Sequence, residues 1–193
     1  MTVVGVTRRT ARQSQLLDEL VALVLAEGFA DLTLDAVAAR LRCSKSTLYA
    51  VARSREQLVR EAVVAFFAGA TEAVEAAVLG AGTHRDRVAA YLRAVAAALR
   101  PASPAFVADL ASFAPAREVY ERNTAAAAAR VRALVDDGVA AGEFRAVHAA
   151  FVADVVAATM VRIQQREVAA ATGLDDAAAY DELADLVLHA VTA

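Results

Sequence analysis

The stretch RCSKSTLYAVARS, residues 42–54, gathers hydrogen-bonding side chains in a chain otherwise dominated by alanine, valine and leucine. Ser44, Ser46 and Thr47 bring hydroxyls, Tyr49 brings a phenol, and Lys45 is the single lysine among 20 basic residues. Hydroxyls donate to phosphate oxygens and to base edges, and an ammonium group reaches guanine O6 or N7. Arg53 and Arg55 follow, with guanidinium groups suited to phosphate. A helix beginning near Ser44 would add free amide N–H groups at its N-terminus. A capped turn uses the same residue types, so the surrounding pattern has to decide.

That pattern is apolar at helical spacing. Val37, Leu41, Cys43, Leu48 and Val51 face one way, and Ala38 is small enough to let a second helix approach. Thr33 is placed to cap the first of two short helices, over residues 34–41, and Arg42 sits in the turn before the second, over residues 45–51. Two short helices crossing steeply on a small core leave Ser44, Lys45, Ser46, Thr47 and Tyr49 outside or at the helix tip. This is the geometry of a helix-turn-helix, whose second helix enters the major groove of DNA.

The remaining elements read as helices, so the 193-residue chain is expected to be all-α. Alanine favours helices, glycine and proline number only 8 and 3, and no stretch alternates with period two. About nine helices are predicted: residues 10–26, 34–41, 45–51, 55–79, 85–99, 104–113, 116–141, 147–171 and 176–191. Ser54 caps the fourth, and Pro115 closes off the sixth. The charge is uneven: residues 1–60 hold nine Lys and Arg against six Asp and Glu, the remainder eleven against seventeen. A basic head on an acidic body suits a polyanionic partner. One cysteine precludes an intrachain disulfide and fits a reducing compartment. No secretory signal is visible, and the longest apolar candidate, residues 146–161, contains His148 and Asp154, so a cytoplasmic protein without a membrane span is expected.

Catalytic and metal chemistry find no support in the pattern. His84, His148 and His189 are scattered, without an i, i+4 pair or a cysteine partner. No glycine-rich phosphate loop and no nucleophile elbow occur. Cys43 occupies an apolar position and reads as a small buried hydrophobe. Asp136–Asp137 and Asp175–Asp176 lie near helix ends, where capping accounts for them. No catalytic residue, metal or cofactor is therefore expected, and the chain does not read as an enzyme.

The segment LTLDAVAARLRCSKSTLYAVARSREQL, preceded by AEGFADLT, resembles the tetracycline-repressor (TetR) family of transcriptional regulators. The shared features are the pair Gly28–Phe29, the helix-starting Thr33, the triplet Thr47-Leu48-Tyr49, and Ser54, Glu56 and Leu58. They cover roughly the first third of the chain. Three departures stand out. Arg42 replaces the turn glycine, so that turn must be made without a glycine at positive φ. Val51–Ala52 replaces a His-Phe pair, and Arg55 replaces a lysine. The resemblance implies a helix-turn-helix domain over residues 1–54, with a basic arm at 1–9, and a helical effector-binding and dimerisation domain over residues 55–193. Thr33, Arg42, Ser44, Lys45, Ser46, Thr47, Tyr49, Arg53 and Arg55 become the expected DNA contacts.

The body follows the same logic. The eighth and ninth predicted helices are apolar over more than one stripe, so a second copy is expected to cover them. The resemblance places the dimer in a four-helix bundle made by the last two helices of each subunit. Phe151, Val155, Val156, Leu183, Val187 and Val191 are the expected interface. Tyr91, Phe106, Leu110, Phe113, Tyr120, Asn123, Thr124, Met160 and Gln164 are expected to line a cavity for an apolar or amphipathic small molecule. The expected function is a homodimeric regulator, a repressor released from a double-stranded operator by that effector. A helical apolar-ligand-binding protein without DNA binding is the competing reading.

Overall fold

The computed structural model describes residues 10–49 and 51–192; the predicted arm, with Arg8 and Arg9, lies outside them. Among the described residues the chain forms ten helices and no strand. They are α1 (Ala11–Glu27), α2 (Leu34–Arg40), α3 (Lys45–Tyr49), α4 (Arg55–Leu79), α5 (His84–Leu99), α6 (Pro104–Ser112), α7 (Ala114–Ala140), α8 (Ala149–Gln164), α9 (Glu167–Thr172) and α10 (Asp176–Val191). Caps set many of these boundaries. Thr10, Thr33, Ser54, Thr83, Ser103 and Asp175 each accept a hydrogen bond from an amide of the following turn. Pro115 falls inside the first turn of α7, where its missing N–H has no helical partner to lose.

The tenth helix arises where one long helix was predicted over residues 147–171. α8 stops at Gln164, and Arg166 takes a left-handed conformation, φ 61° and ψ 12°, before α9 begins. Neither glycine nor proline marks this break. The polar run Gln164-Gln165-Arg166-Glu167 interrupts the apolar stripe, and ion pairs hold the new direction: Arg162 to Glu167 at 3.1 Å and Arg166 to Asp176 at 3.1 Å.

Two apolar cores divide the molecule, and α4 runs through both. The first joins Leu16, Leu20 and Val24 of α1, Val37 of α2 and Leu48 of α3 to Leu58, Val63 and Phe67 of α4, Phe106 and Leu110 of α6, and Val119 of α7. The second joins Val74 and Val78 of α4 to Leu92 of α5, Leu134 of α7, Val156 and Ile163 of α8, and Tyr180 and Val187 of α10. By length and composition α4 is the one described helix apolar enough to cross a membrane, yet it carries Glu72 and Glu75 and packs against α1, α5 and α7.

The head is tied to the body at the loop after α1. Gly28 has φ 77°, and a Cβ there would meet Asp109 Oδ2 at 2.6 Å. Its neighbours use that space: the Phe29 and Ala30 amides donate to Asp109 Oδ2 at 2.5 and 2.8 Å. Ser103 N donates to Leu25 O at 2.8 Å. The Phe29 ring stands edge-on to Phe106 and Phe113, with centroids 6.0 and 5.9 Å away. Gly138 is the second glycine fixed by contact, since a Cβ would lie 2.2 Å from the buried Phe144 ring.

Candidate nucleic-acid interface and body cavity

α3 is anchored by one residue. Leu48 is fully buried, whereas Ser44, Lys45, Ser46 and Tyr49 are exposed and Thr47 is half-buried. The hydroxyls bond to one another: Ser44 Oγ lies 2.7 Å from Ser46 Oγ and 2.8 Å from Thr47 Oγ1, and accepts from the Thr47 amide at 3.2 Å. The cluster thus caps α3 and presents its polar edge outward at the same time. Tyr49, 50% exposed, stands one turn further along. Lys45 Nζ rests 2.5 Å from Asp35 Oδ1 of α2, and that bond holds the ammonium pKa above its ordinary value. To meet a phosphate or a base, Lys45 must exchange this carboxylate for its new partner.

The other expected contacts divide by position. Thr33 caps α2 by accepting from Ala36 N at 3.1 Å. Arg42 is exposed and makes the turn itself, at φ 48°, taking the left-handed conformation that glycine adopts without strain. Arg53 is exposed, and its amide donates to Gln57 Oε1 at 2.9 Å. Arg55 points elsewhere. Its Nε donates to Leu32 O at 2.5 Å, its Nη2 donates to Phe29 O and Ala30 O at 2.5 and 2.6 Å, and its guanidinium sits over the Phe113 ring at 5.8 Å. The structure therefore brings Ser44, Lys45, Ser46, Thr47 and Tyr49 together and employs Arg55 at the head–body junction.

Cys43 is half-buried against the first core. Burial, and then the Glu19 charge, raise its thiol pKa, which keeps it protonated and weakly nucleophilic. Among the described residues no three of His, Cys, Asp and Glu gather as a metal site.

Two cavities lie within the body. The first, about 270 Å³, is enclosed by α4, α5, α7 and α8 and is lined by six of the predicted residues: Tyr91, Tyr120, Asn123, Thr124, Met160 and Gln164. The second, about 290 Å³, lies under α6 against the start of α10; Phe106 and Leu110 line it, and Tyr120 and Gln164 line both. Phe113 lines neither and packs on Phe29 at the junction. Sequence reasoning missed the charges. Arg130 Nε and Nη2 grip Glu75 Oε1 and Oε2 at 2.8 and 2.9 Å on the wall of the first cavity. Arg100, Arg166, Asp175 and Asp176 edge the second. A charge breaking an apolar helical stripe was the available signal, and Glu75, beside Val74 and Val78, carried it.

The polar groups of these cavities are few. Tyr91 Oη donates to Ala127 O at 3.3 Å, and burial, followed by the Glu75 charge, pushes its pKa up to about 12. Burial raises Tyr120 and Tyr180 as well. Asn123, the only asparagine of the chain, lines the first cavity at half burial, its side-chain amide without a partner among the described residues. Apolar walls with a few fixed polar groups are the make-up of a small-molecule site.

α8 and α10 also present an outer face. Phe151 and Leu186 are each 66% exposed and Val155 is 41% exposed. Val156, Leu183, Val187 and Val191 point the other way, into the second core. The expected interface set is thus split: two of its members face outward, four are internal, and Leu186 joins the outer group.

Residues 16–62 match the sequence profile of the bacterial regulatory proteins of the tetR family. No curated protein sequence matches the chain. Three solved structures show the same fold along its length. A putative transcriptional regulator from Saccharomonospora viridis, in complex with choline, is 14% identical with a TM-score of 0.78, over 96% of this chain and 100% of that one. A transcriptional regulator from Cytophaga hutchinsonii is 13% identical with a TM-score of 0.74, over 95% and 100%. The TetR-family regulator PfmR from Thermus thermophilus is 21% identical with a TM-score of 0.66, over 91% and 97%. The tetR-family profile thus matches the helix-turn-helix head, and the whole chain, body included, shares the fold of solved transcriptional regulators.

Proposed function

We propose that the protein is a homodimeric, one-component repressor that acts in the cytoplasm and leaves its operator when a small apolar or amphipathic molecule fills the body. The observation that carries this reading is α3. One buried leucine fixes the helix, while Ser44, Lys45, Ser46 and Tyr49 are left exposed along it. Hydroxyls and the ammonium meet phosphates and base edges in the major groove, with Thr47, Arg42, Thr33 and Arg53 at the margins of the contact. Arg55 contributes by holding the loop after α1, so its role is to position the head. Residues 1–54 recognise DNA in this scheme, and residues 55–193 bind the effector and the second subunit.

The outer face of Phe151, Val155 and Leu186 supports a dimer across α8 and α10. Two heads then address half-sites about one helical turn, ~34–36 Å, apart. An effector that favours another separation of the heads releases the operator. A regulator of this fold solved in complex with choline supports a small-molecule ligand.

Selection of an operator from random duplex pools, followed by a salt titration, tests the proposal. Specific binding with a steep negative log–log slope is expected. Lys45→Ala should lower that slope by about 1 if the ammonium meets a phosphate. If it reads a guanine, the loss is roughly 1–3 kcal/mol of discrimination at one position per half-site. No duplex binding at low salt would replace this reading with that of an apolar-ligand-binding protein, in which Asp35 simply neutralises Lys45.

A further inference from the structure

The two body cavities share a wall made of side chains. Phe67, Leu99, Tyr120 and Gln164 line both. A hydrogen-bonded chain closes it: Tyr120 Oη donates to Gln164 Oε1 at 2.8 Å, and Gln164 Nε2 donates to Tyr180 Oη at 3.2 Å. The three residues come from α7, α8 and α10, so the side chains of three helices meet at the wall.

Each cavity alone sits at the lower end of the ~300–1,000 Å³ of a small-molecule site, and the two joined fall well within it. The wall is held by two neutral hydrogen bonds, the kind whose net contribution is modest when a replacement partner is supplied. Its central member is also the last residue of α8. Beyond Gln164 the chain leaves the helix, and Arg166 turns it through a left-handed conformation. A side chain at a helix end, followed by two exposed residues, has more room to move than one in mid-helix.

We infer that Gln164, bridged between Tyr120 and Tyr180, is a gate between two chambers of one effector site, and that a single elongated molecule occupies both. This rests on the reading of the body as an effector site. The ligand is apolar along most of its length, matching Val74, Val95 and Met160 in one chamber and Phe106, Val107 and Leu110 in the other. Where it crosses the wall it carries a hydroxyl or carbonyl that takes over the bonds of the displaced amide. Leaving Tyr120 and Tyr180 without partners would cost affinity, so a purely hydrocarbon molecule of the same length binds less tightly. Gln164 is thus a specificity-determining residue for length and for mid-chain polarity.

Isothermal titration of the full-length protein with linear primary alcohols, from hexanol to dodecanol, tests the gate. One molecule per chain is expected throughout. Affinity should rise about fourfold per added methylene while the tail extends through apolar surroundings. In the wild-type protein the rise should pause at the length that first meets Gln164, then resume. Gln164→Ala should remove the pause, and Tyr120→Phe, which keeps the ring and deletes its bond to Gln164, should shorten it. Because the second variant preserves packing, it reads the gate even if the alanine variant fails to fold. A plateau or pause that persists in both variants, or two long alcohols per chain, would overturn the shared ligand and leave two separate pockets. Absence of binding by every alcohol would overturn the effector-site reading along with the gate.

Discussion

The head and the body use polar side chains in opposite senses. In the head, Ser44, Ser46 and Thr47 bond to one another within three positions of sequence and face outward. In the body, Tyr120 reaches Gln164 across 44 positions and Arg130 reaches Glu75 across 55, and these pairs line cavities. The head's polar groups are local and available to a partner, whereas the body's are long-range and partly hidden. In the proposed function the difference separates a surface that meets a polyanion from an interior that holds a small molecule.

The largest expected effect concerns the two sides of α8. Val156 has no exposed surface and Phe151 is 66% exposed. Val156→Glu should cost more than about 4 kcal/mol and give unfolded or aggregated protein by circular dichroism. Phe151→Glu should keep the helical spectrum and the melting temperature while light scattering shows a monomer. A wild-type monomer at micromolar concentration would remove the dimer from the proposal.

Arg55 tests the boundary between the two regions. Arg55→Ala should lose three hydrogen bonds to carbonyls and the contact with Phe113, about 3 kcal/mol in all and roughly 6–12 °C in Tm. A residue whose whole function lay in touching phosphate would leave Tm unchanged.

Alkaline pH should act on the body through its tyrosines. Tyr91 has a folded pKa of about 12, raised from the ordinary value near 10. The folded phenol keeps a proton that the unfolded chain releases. Its stabilising contribution is complete below pH 10 and is lost as pH rises through about 12, by roughly 2–3 kcal/mol. Tyr120 and Tyr180 shift in the same direction. Denaturant midpoints measured across this interval should fall, and Tyr91→Phe should flatten the fall.

The smallest effect is a gain, and it belongs to the head. Arg42 makes its turn at φ 48°, a conformation that costs residues with a Cβ roughly 1–2 kcal/mol. Glycine's extra chain entropy offsets part of that, so Arg42→Gly should raise stability by about 1 kcal/mol, or 2–4 °C in Tm. If the guanidinium also touches DNA, the stabler variant will bind its operator less tightly.

Legibility in the sequence followed the same division. The α3 surface could be read because one buried leucine among polar neighbours is a local pattern, and the caps at Thr33, Ser54 and Asp175 depend on residues three apart. The cavity lining was readable where aromatic and amide side chains interrupted aliphatic stripes, as at Tyr120, Asn123 and Gln164. Arg55 was not readable, because the carbonyls it binds lie 23 to 26 positions upstream in a loop. Asp109 was invisible for the same reason, with partners 79 and 80 positions away. On α8 and α10 the apolar stripe is too wide to say which side is internal. Val156, Leu183, Val187 and Val191, expected at the interface with a second copy, are buried within the chain, and Leu186 of the same apolar stripe is exposed. The break after Gln164 carries no glycine or proline, and the polar run Gln164-Gln165-Arg166-Glu167, with the ion pairs of Arg162 and Arg166, is all that marks it.

One helix ties these two regions into a single thermodynamic unit. α4 runs 25 residues without interruption, placing Leu58 to Phe67 in one core and Val74 and Val78 in the other. Loosening its first half removes the floor of the head, and loosening its second half exposes the body cavity. Because both cores need an intact α4, a single heat-absorption peak is expected for the two regions by calorimetry. Slow amide exchange should run continuously along this helix, with no step at the border between its two halves. Under the proposed function, an occupant that tightens the body should also firm the helix on which the head is seated, and its binding free energy should appear as resistance to unfolding at Leu48.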